Sequence, residues 1–223
     1  MGKLIKINSS NAALKACDVM HRGGIIAYPT DTIYGFGCDS KNETAIKKLN
    51  NLKNRSGPIS VISPDRKTAI GWMTIKINQK SKVQRKMVNG NTVIATVKKN
   101  ICSNLIMGSG NTLGIRIPKH DFCKELSSLF PNPITSTSAN INGKSPHIRA
   151  KDILNEFYDG IDLVIDGGII NGSGSISLDQ SFITGRLAWS LGKYRNIELD
   201  NSLFDFSFKE NSFNFNSSLY PID

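Results

Sequence analysis

Residues 24–39 constrain the fold more than any other stretch. Residues 24–28 (Gly-Ile-Ile-Ala-Tyr) are a short, branched, glycine-bounded apolar run, the pattern of a buried strand. Pro29 ends it, and Thr30, Asp31 and Thr32 follow as a cluster of short hydroxyl and carboxyl side chains. Gly35 and Gly37 then allow backbone to pass close to a ligand or to another strand. Residues 43–52 have a helical pattern, with Lys53 and Arg55 at the end. A strand tip carrying hydroxyls, followed by a helix that delivers two cations, suits an anionic substrate such as a phosphate. Taken alone, Thr30, Asp31 and Thr32 would equally form a turn closed by local side-chain to backbone hydrogen bonds.

The rest of the chain alternates strand and helix patterns. Strands are expected at 4–7, 59–63, 92–97, 113–117, 134–138 and 163–166, with shorter ones near 175–179 and 187–193. A helix capped by Ser9 or Ser10 runs to Met20, with Gly23 as its stop. Others run from the cap Asp65 to about 73, and over about 78–88, 121–130 and 151–157. This alternation argues for an α/β fold. Several connections are too short or too glycine-rich for regular doubly wound units, so a mixed sheet is expected. Residues 196–223 differ in composition, with one Lys against five acidic residues and five of the ten Phe. Phe204, Phe206 and Phe208 alternate, then Phe213 and Phe215 alternate again, which predicts a hairpin with one aromatic face packed on the main domain, 1–195.

Net charge is +10, but residues 41–100 hold 14 Lys and Arg against only Glu43 and Asp65, so one third of the chain carries the positive field. Such a field attracts nucleotides, pyrophosphate or RNA. Within it, Lys76, Lys80, Lys82, Arg85 and Lys86 would equally be the solvated face of one helix. Ordinary RNA readers interleave aromatics for base stacking, and Trp72 is the one aromatic of residues 41–100. Cys17, Cys38, Cys102 and Cys123 are widely spaced, and His21, His120 and His147 supply no zinc-type spacing. The thiols read as reduced and buried or half-buried, and no metal ligand is assigned. No apolar stretch approaches the roughly 20 residues that span a bilayer, and the alternating first seven residues lack a signal-peptide core. A cytoplasmic location is expected.

Two further segments carry chemistry. Arg116 stands mid-strand in the apolar run 113–118 and needs a partner, because unpaired burial of a charge is costly. That partner is either a structural Asp or Glu or a substrate carboxylate. In 134–143 a strand ends in alternating hydroxyls, among them Ser136 and Ser138, and the turn from Asn140 to Gly143 can aim several N–H groups at one anion. Asp166-Gly167-Gly168 and the Gly-Ser run 172–175 are weaker signals, since flexible loops look the same.

In this order, these segments resemble the YrdC family, the threonylcarbamoyl-AMP synthases, over about residues 10–195. The opening stretch has the family's Pro-Thr-(Asp/Glu)-Thr-x-Tyr-Gly-x-Gly form, and Lys53-Asn54-Arg55 its Lys-x-Arg. Residues 138–146 resemble its Ser-Ala-Asn-x-Ser-Gly-x-x-Ser-Pro, with Asn142 for the middle Ser. The resemblance implies a twisted open mixed sheet flanked by helices, with a concave basic groove. It implies that Thr32, Arg116, Ser136 and Ser175 face L-threonine, and that Lys53, Arg55, Ser138 and Asn140 face ATP, with Lys53 and Arg55 catalytic. Departures fall at Ile62 (a His in the family), Asn89-Gly90-Asn91 (Pro-Gly-Pro), Ile176 (Thr) and Ser190 (Arg, with Arg186 and Arg195 as the nearby candidates to substitute for it). YciO-like paralogues share the fold, and Gly90-Asn91 and residues 136–138 lean toward them, while Ala139-Asn140 and Ser145-Pro146 lean toward synthases.

The implied reaction joins L-threonine, bicarbonate and ATP, with Mg²⁺, into L-threonylcarbamoyl-adenylate and pyrophosphate. The product feeds a tRNA-modifying transferase complex. Orientation and charge neutralisation would carry the catalysis. The alternative is a non-catalytic module that holds a nucleotide or RNA, motivated by the basic segment 41–100 and the departures. Direct tRNA binding is expected to be weak, and no membrane partner is expected.

Overall fold

The computed structural model describes residues 2–87 and 90–170, and the backbone of short strands at 177–178, 198–199, 204–209 and 212–217; the side chains of residues 77, 78 and 82 are not among those described. The strands are β1 (Lys3–Lys6), β2 (Ile26–Pro29), β3 (Tyr34–Gly37), β4 (Ser60–Ile62), β5 (Thr92–Thr96), β6 (Thr112–Arg116), β7 (Ile134–Ser138) and β8 (Leu163–Asp166). They form one sheet in the order β1-β8-β2-β3-β7-β4-β6-β5. Pairing is parallel at β1/β8, β2/β8 and β4/β6, and antiparallel at β2/β3, β3/β7, β4/β7 and β5/β6. The sheet is therefore mixed, as expected.

The helices are α1 (Ala12–His21), α2 (Glu43–Lys53), α3 (Arg66–Trp72), α4 (Ile77–Lys86), α5 (Asp121–Leu129) and α6 (Ala150–Glu156). Asp65 caps α3 as expected, its carboxylate accepting from Thr68 N at 2.8 Å. Gly23, at φ 75°, stops α1: its N–H bonds Met20 O and the next, of Gly24, bonds Val19 O, which satisfies two carbonyls of the last turn. The start of α1 corrects the expectation. Asn11, not Ser9 or Ser10, precedes the first helical residue, in the left-handed region (φ 62°) that Asn tolerates, and no side chain caps the helix.

Each face of the sheet is covered. Alternate residues Ile26, Tyr28, Ile62, Ile134, Leu163 and Ile165 pack with Ala13, Ala16 and Met20 of α1 and Phe122, Cys123 and Leu126 of α5. The opposite face sets Ala27, Phe36, Val61, Ile115 and Val164 against Ile46 and Leu49 of α2, Ala69 of α3, Val83 of α4 and Ile153 of α6. Burial on both faces explains the continuous apolar runs of the central strands.

Strand β3 was not among the expected strands, because two glycines in four residues depress strand propensity. Its neighbours impose it. At Gly37 a Cβ would stand 2.7 Å from Tyr28 Cε1 and 3.1 Å from Ile134 Cγ2, so the close passage of strands that the glycines allow occurs here. In the C-terminal segment, β9 (Ser177–Leu178) pairs parallel with β10 (Glu198–Leu199), and β11 (Phe204–Lys209) pairs antiparallel with β12 (Ser212–Ser217), with Phe206 opposite Phe215 and Phe208 opposite Phe213. The packing of that aromatic face and the strand expected at 187–193 lie outside the described residues.

Candidate active site

The turn between β2 and β3 is closed from within. Thr30 Oγ1 accepts from the N–H groups of Thr32 (3.1 Å) and Ile33 (3.2 Å) and donates to Ile33 O (2.6 Å). The local-turn reading of these residues is thus realised, and it fixes what the turn presents. Thr32 Oγ1 lies 3.2 Å from Thr30 Oγ1. A Cβ at Gly35 would sit 3.7 Å from Ser136 Oγ and 3.8 Å from Thr30 Cγ2, so turn and β7 hydroxyls flank one bare stretch of backbone. The register puts Ser136 opposite Ser60 and Ser138 opposite Gly35, with Arg116 opposite Ile62. By the two-residue period of strands, these side chains share the face that α1 and α5 cover further along.

Arg116 has found its structural partner. Its Nη2 donates to Asp31 Oδ1 at 3.0 Å, with the two side chains 11% and 15% exposed. Asp31 is the residue whose part the sequence left unassigned, and the signal was the buried Arg that needed a carboxylate. Gly90 (φ 73°) lies against the pair: a Cβ there would overlap Asp31 Oδ2 and stand 3.1 Å from Arg116 Nη2. His120, which precedes α5, was also passed over. Its Nδ1 is buried with no hydrogen-bond partner among the described residues. Burial lowers its pKa, against the opposing pull of Asp31 and Asp121.

Lys53 departs most from expectation. A cation at a helix end reads as exposed, yet Lys53 is 2% exposed. Its Nζ donates to the carbonyl of Ser138, to Asn140 O (2.7 Å) and, at longer range, to Asn140 Oδ1 (3.4 Å), and it lies 5.5 Å from the Phe36 ring centre. Phe36 belongs to the core of the opposite face, so Lys53 reaches the end of β7 from behind the sheet. The backbone adds a second tie, Asn142 N to Lys53 O at 2.9 Å. Burial, and then the nearby Arg55, push the Lys53 amine down to about 7. Asn140 is likewise committed, donating from Nδ2 to Ile141 O (2.9 Å) and to the carbonyl of Lys144. Arg55 is half-buried and donates to Pro58 O at 2.7 Å.

The Asp166-Gly167-Gly168 segment joins the opening motif through Tyr34, whose hydroxyl accepts from Gly167 N (2.9 Å) and donates to Gly168 O (2.8 Å). Ser175, Ile176, Arg186, Ser190 and Arg195 lie outside the described residues. All four cysteines are free and buried. Burial pushes the Cys38 thiol up to about 12, so it is no nucleophile at neutral pH. Five cations of the basic segment, Arg66, Lys67, Lys76, Lys80 and Lys98, line a hollow of about 630 Å³ beside α3 and α4, which shares no residue with the site around Arg116. Lys80 and Arg85 are exposed on α4, as a solvated helix face requires.

A family profile described as telomere recombination, covering Sua5, YciO and YrdC, matches residues 18–178. The chain belongs to the Sua5/YciO/YrdC family. Among family members, a threonylcarbamoyl-AMP synthase from Idiomarina loihiensis is 31% identical over 156 residues, which is 66% of this chain and 83% of that protein. P. abyssi Sua5, solved in complex with L-threonine, superposes with a TM-score of 0.69 at 23% identity over 79% of this chain. The chain spans 53% of that Sua5, about half its length. E. coli YciO gives a TM-score of 0.68 at 18% identity, covering 79% of this chain and 87% of YciO. At these identities the two structures establish the shared Sua5/YciO/YrdC fold.

Proposed function

We propose that the chain is a nucleotidyltransferase that makes L-threonylcarbamoyl-adenylate from L-threonine, bicarbonate and ATP for the threonylcarbamoyladenosine modification of tRNA. The observation that carries this reading is the Asp31–Arg116 pair, whose Asp31 lies in the turn that also holds Thr30 and Thr32, with Ser136 and Thr30 flanking Gly35, beside a β7 end that Lys53 holds. Its similarity to the Idiomarina synthase supports it, as does the L-threonine complex of Sua5.

The threonine nitrogen forms a bond to the bicarbonate carbon as water leaves and one proton is released. A carbamate oxygen then attacks the α-phosphorus, and the bond to pyrophosphate breaks. Little of this demands proton transfer by the protein, so alignment and charge neutralisation supply the rate. On the amino-acid side stand Thr32, Ser136 and Arg116, whose guanidinium can grip a carboxylate with two parallel bonds. On the nucleotide side stand Ser138, Asn140 and Arg55, with Lys53 fixing the loop that carries the first two. No group of three or more His, Cys, Asp and Glu forms a metal cage among the described residues. Mg²⁺ is proposed as the companion of ATP, where it would neutralise the charge of the phosphates. The product passes to a tRNA-modifying transferase complex, and the cytoplasm is the proposed location. Among the described residues no helix is long and apolar enough to cross a membrane.

The test is pyrophosphate release from ATP, with the adenylate followed by mass spectrometry, with and without threonine and bicarbonate. Release that requires both co-substrates is expected. ATP binding without any threonine-dependent product would leave the non-catalytic nucleotide- or RNA-binding alternative in its place.

A further inference from the structure

The loop that follows β7 is held at both ends. At its near end Lys53 grips it from behind the sheet, through Nζ to the carbonyls of Ser138 and Asn140 and through its own carbonyl to Asn142 N. Within the loop, Asn140 Nδ2 donates to the carbonyl of Lys144. At its far end the loop meets Glu156, the last residue of α6. Lys144 Nζ donates to Glu156 Oε1 at 3.3 Å and His147 Nε2 donates to Glu156 Oε2, so one carboxylate uses both oxygens on the loop. The Glu156 and His147 side chains are 25% and 26% exposed. The bond from His147 holds the Glu156 carboxyl below the usual carboxylate range. The next residue, Phe157, is buried, and its ring stands nearly perpendicular to that of His147 at 6.2 Å and to that of Phe36 at 4.9 Å. Phe36 is the ring against which the Lys53 amine lies. The end of α6 thus holds His147 by one polar and one aromatic contact, and Phe157 links that hold to the staple at the near end.

We propose that Glu156 is a positioning residue for the nucleotide: it touches no ligand, and by holding Lys144 and His147 at once it fixes the loop 140–147 in the shape that ATP meets. The inference rests on the proposed nucleotide side of the site and adds to it a residue of α6. Residues 142–145 are exposed and Gly143 stands at φ 84°, so burial does little to fix this stretch. The side-chain bonds to Glu156 do it instead. A loop left free would lose conformational freedom at the moment ATP binds, and that loss would be subtracted from the affinity. A loop held beforehand avoids it. An ordinary surface ion pair, by contrast, contributes little and acts on stability alone. The two roles differ in one measurable respect. A positioning residue affects the nucleotide and spares the amino acid, whereas a merely structural one affects both or neither.

Calorimetric titration of the full chain decides between them, with L-threonine alone and with ATP and Mg²⁺ at saturating L-threonine. Glu156→Ala should weaken ATP about three- to tenfold, the scale of two partly exposed pairs, and leave L-threonine within about twofold. His147→Phe keeps a ring beside Phe157 and removes the bond to Glu156, so it should cost ATP about two- to threefold. Added to Glu156→Ala it should cost nothing further, because the two side chains act through one bond. Unchanged ATP affinity in a folded Glu156→Ala overturns the inference. Equal loss of both ligands also overturns it and makes Glu156 a structural residue. Should Glu156→Ala fail to fold, His147→Phe decides alone, and unchanged ATP affinity there overturns the inference. If the unsubstituted protein binds L-threonine but no ATP, the nucleotide reading fails as well, an outcome that no variant is needed to see.

Discussion

Replacement of Lys53 by Met keeps the aliphatic stem and removes the amine. Two good bonds are lost, to the carbonyls of Ser138 and Asn140, and a weak one at 3.4 Å to Asn140 Oδ1. Bonds from a charged donor are each worth about 1.5–3 kcal/mol. Against this stands the several-kcal/mol cost of keeping an amine out of water, which the substitution also removes. The net loss works out at ~2 kcal/mol, because Asn140 O loses the bond from Nζ while Ser138 O keeps the N–H of Asn140 at 3.0 Å, so one of the two carbonyls loses its bond among the described residues. With a urea m-value of about 3 kcal/mol/M for a chain of this size, the midpoint should fall by about 0.7 M. Lys53→Met should also remove a pH dependence. The folded amine is pushed down to about 7 from the 10.5 of an ordinary lysine. Across that interval the unfolded chain binds the extra proton, so stability rises with pH from about 7 upward and is lower, and flat for this group, beneath it. In Lys53→Met the rise should vanish. A variant as stable as the parent, with the same slope of midpoint against pH, would refute the claim that this amine staples α2 to the β7 loop.

Arg116→Lys should raise the KM for threonine about tenfold or more and leave that for ATP within about twofold, because an ammonium cannot form the two parallel bonds of a guanidinium; steady-state kinetics with each substrate varied is the check, and an unchanged threonine KM would make Arg116 simply the partner of Asp31. Gly37→Ala should cost about 1–3 kcal/mol, seen as a lowered Tm, since its Cβ meets the Tyr28 ring at 2.7 Å in a strand that cannot shift without moving β2 or β7. Binding to tRNA should be weak and fall steeply with salt, and Lys76→Glu with Lys80→Glu should weaken it further while threonine-dependent turnover persists, because the hollow is separate from the site. Submicromolar, sequence-selective tRNA binding without any adenylate product would reverse the assignment in favour of an RNA module.

Local chemistry was legible in the sequence wherever one residue decides one feature. Asp65 announces a helix start because its carboxylate can accept only from the N–H groups just ahead, and Gly23 announces a stop because a residue without a Cβ enters the left-handed region freely. The strands 134–138 and 163–166 were read to the residue: burial on both faces gives 163–165 a continuous apolar run, and β-branched Ile and Thr carry 134–138 into its alternating hydroxyls. The motif order likewise pointed to the family. Other features exist only once the chain has folded on itself. Strand β3 is made a strand by β2 and β7 on either side, against the preference of its own glycines. The sequence shows that Arg116 needs a carboxylate, but 85 residues separate it from Asp31, and only the sheet order brings them together. Lys53 carries the same charge in the sequence as any exposed lysine at a helix end. What makes it a buried staple is the loop from Ser138 to Asn142 closing over it, whose carbonyls replace the water that the amine gives up.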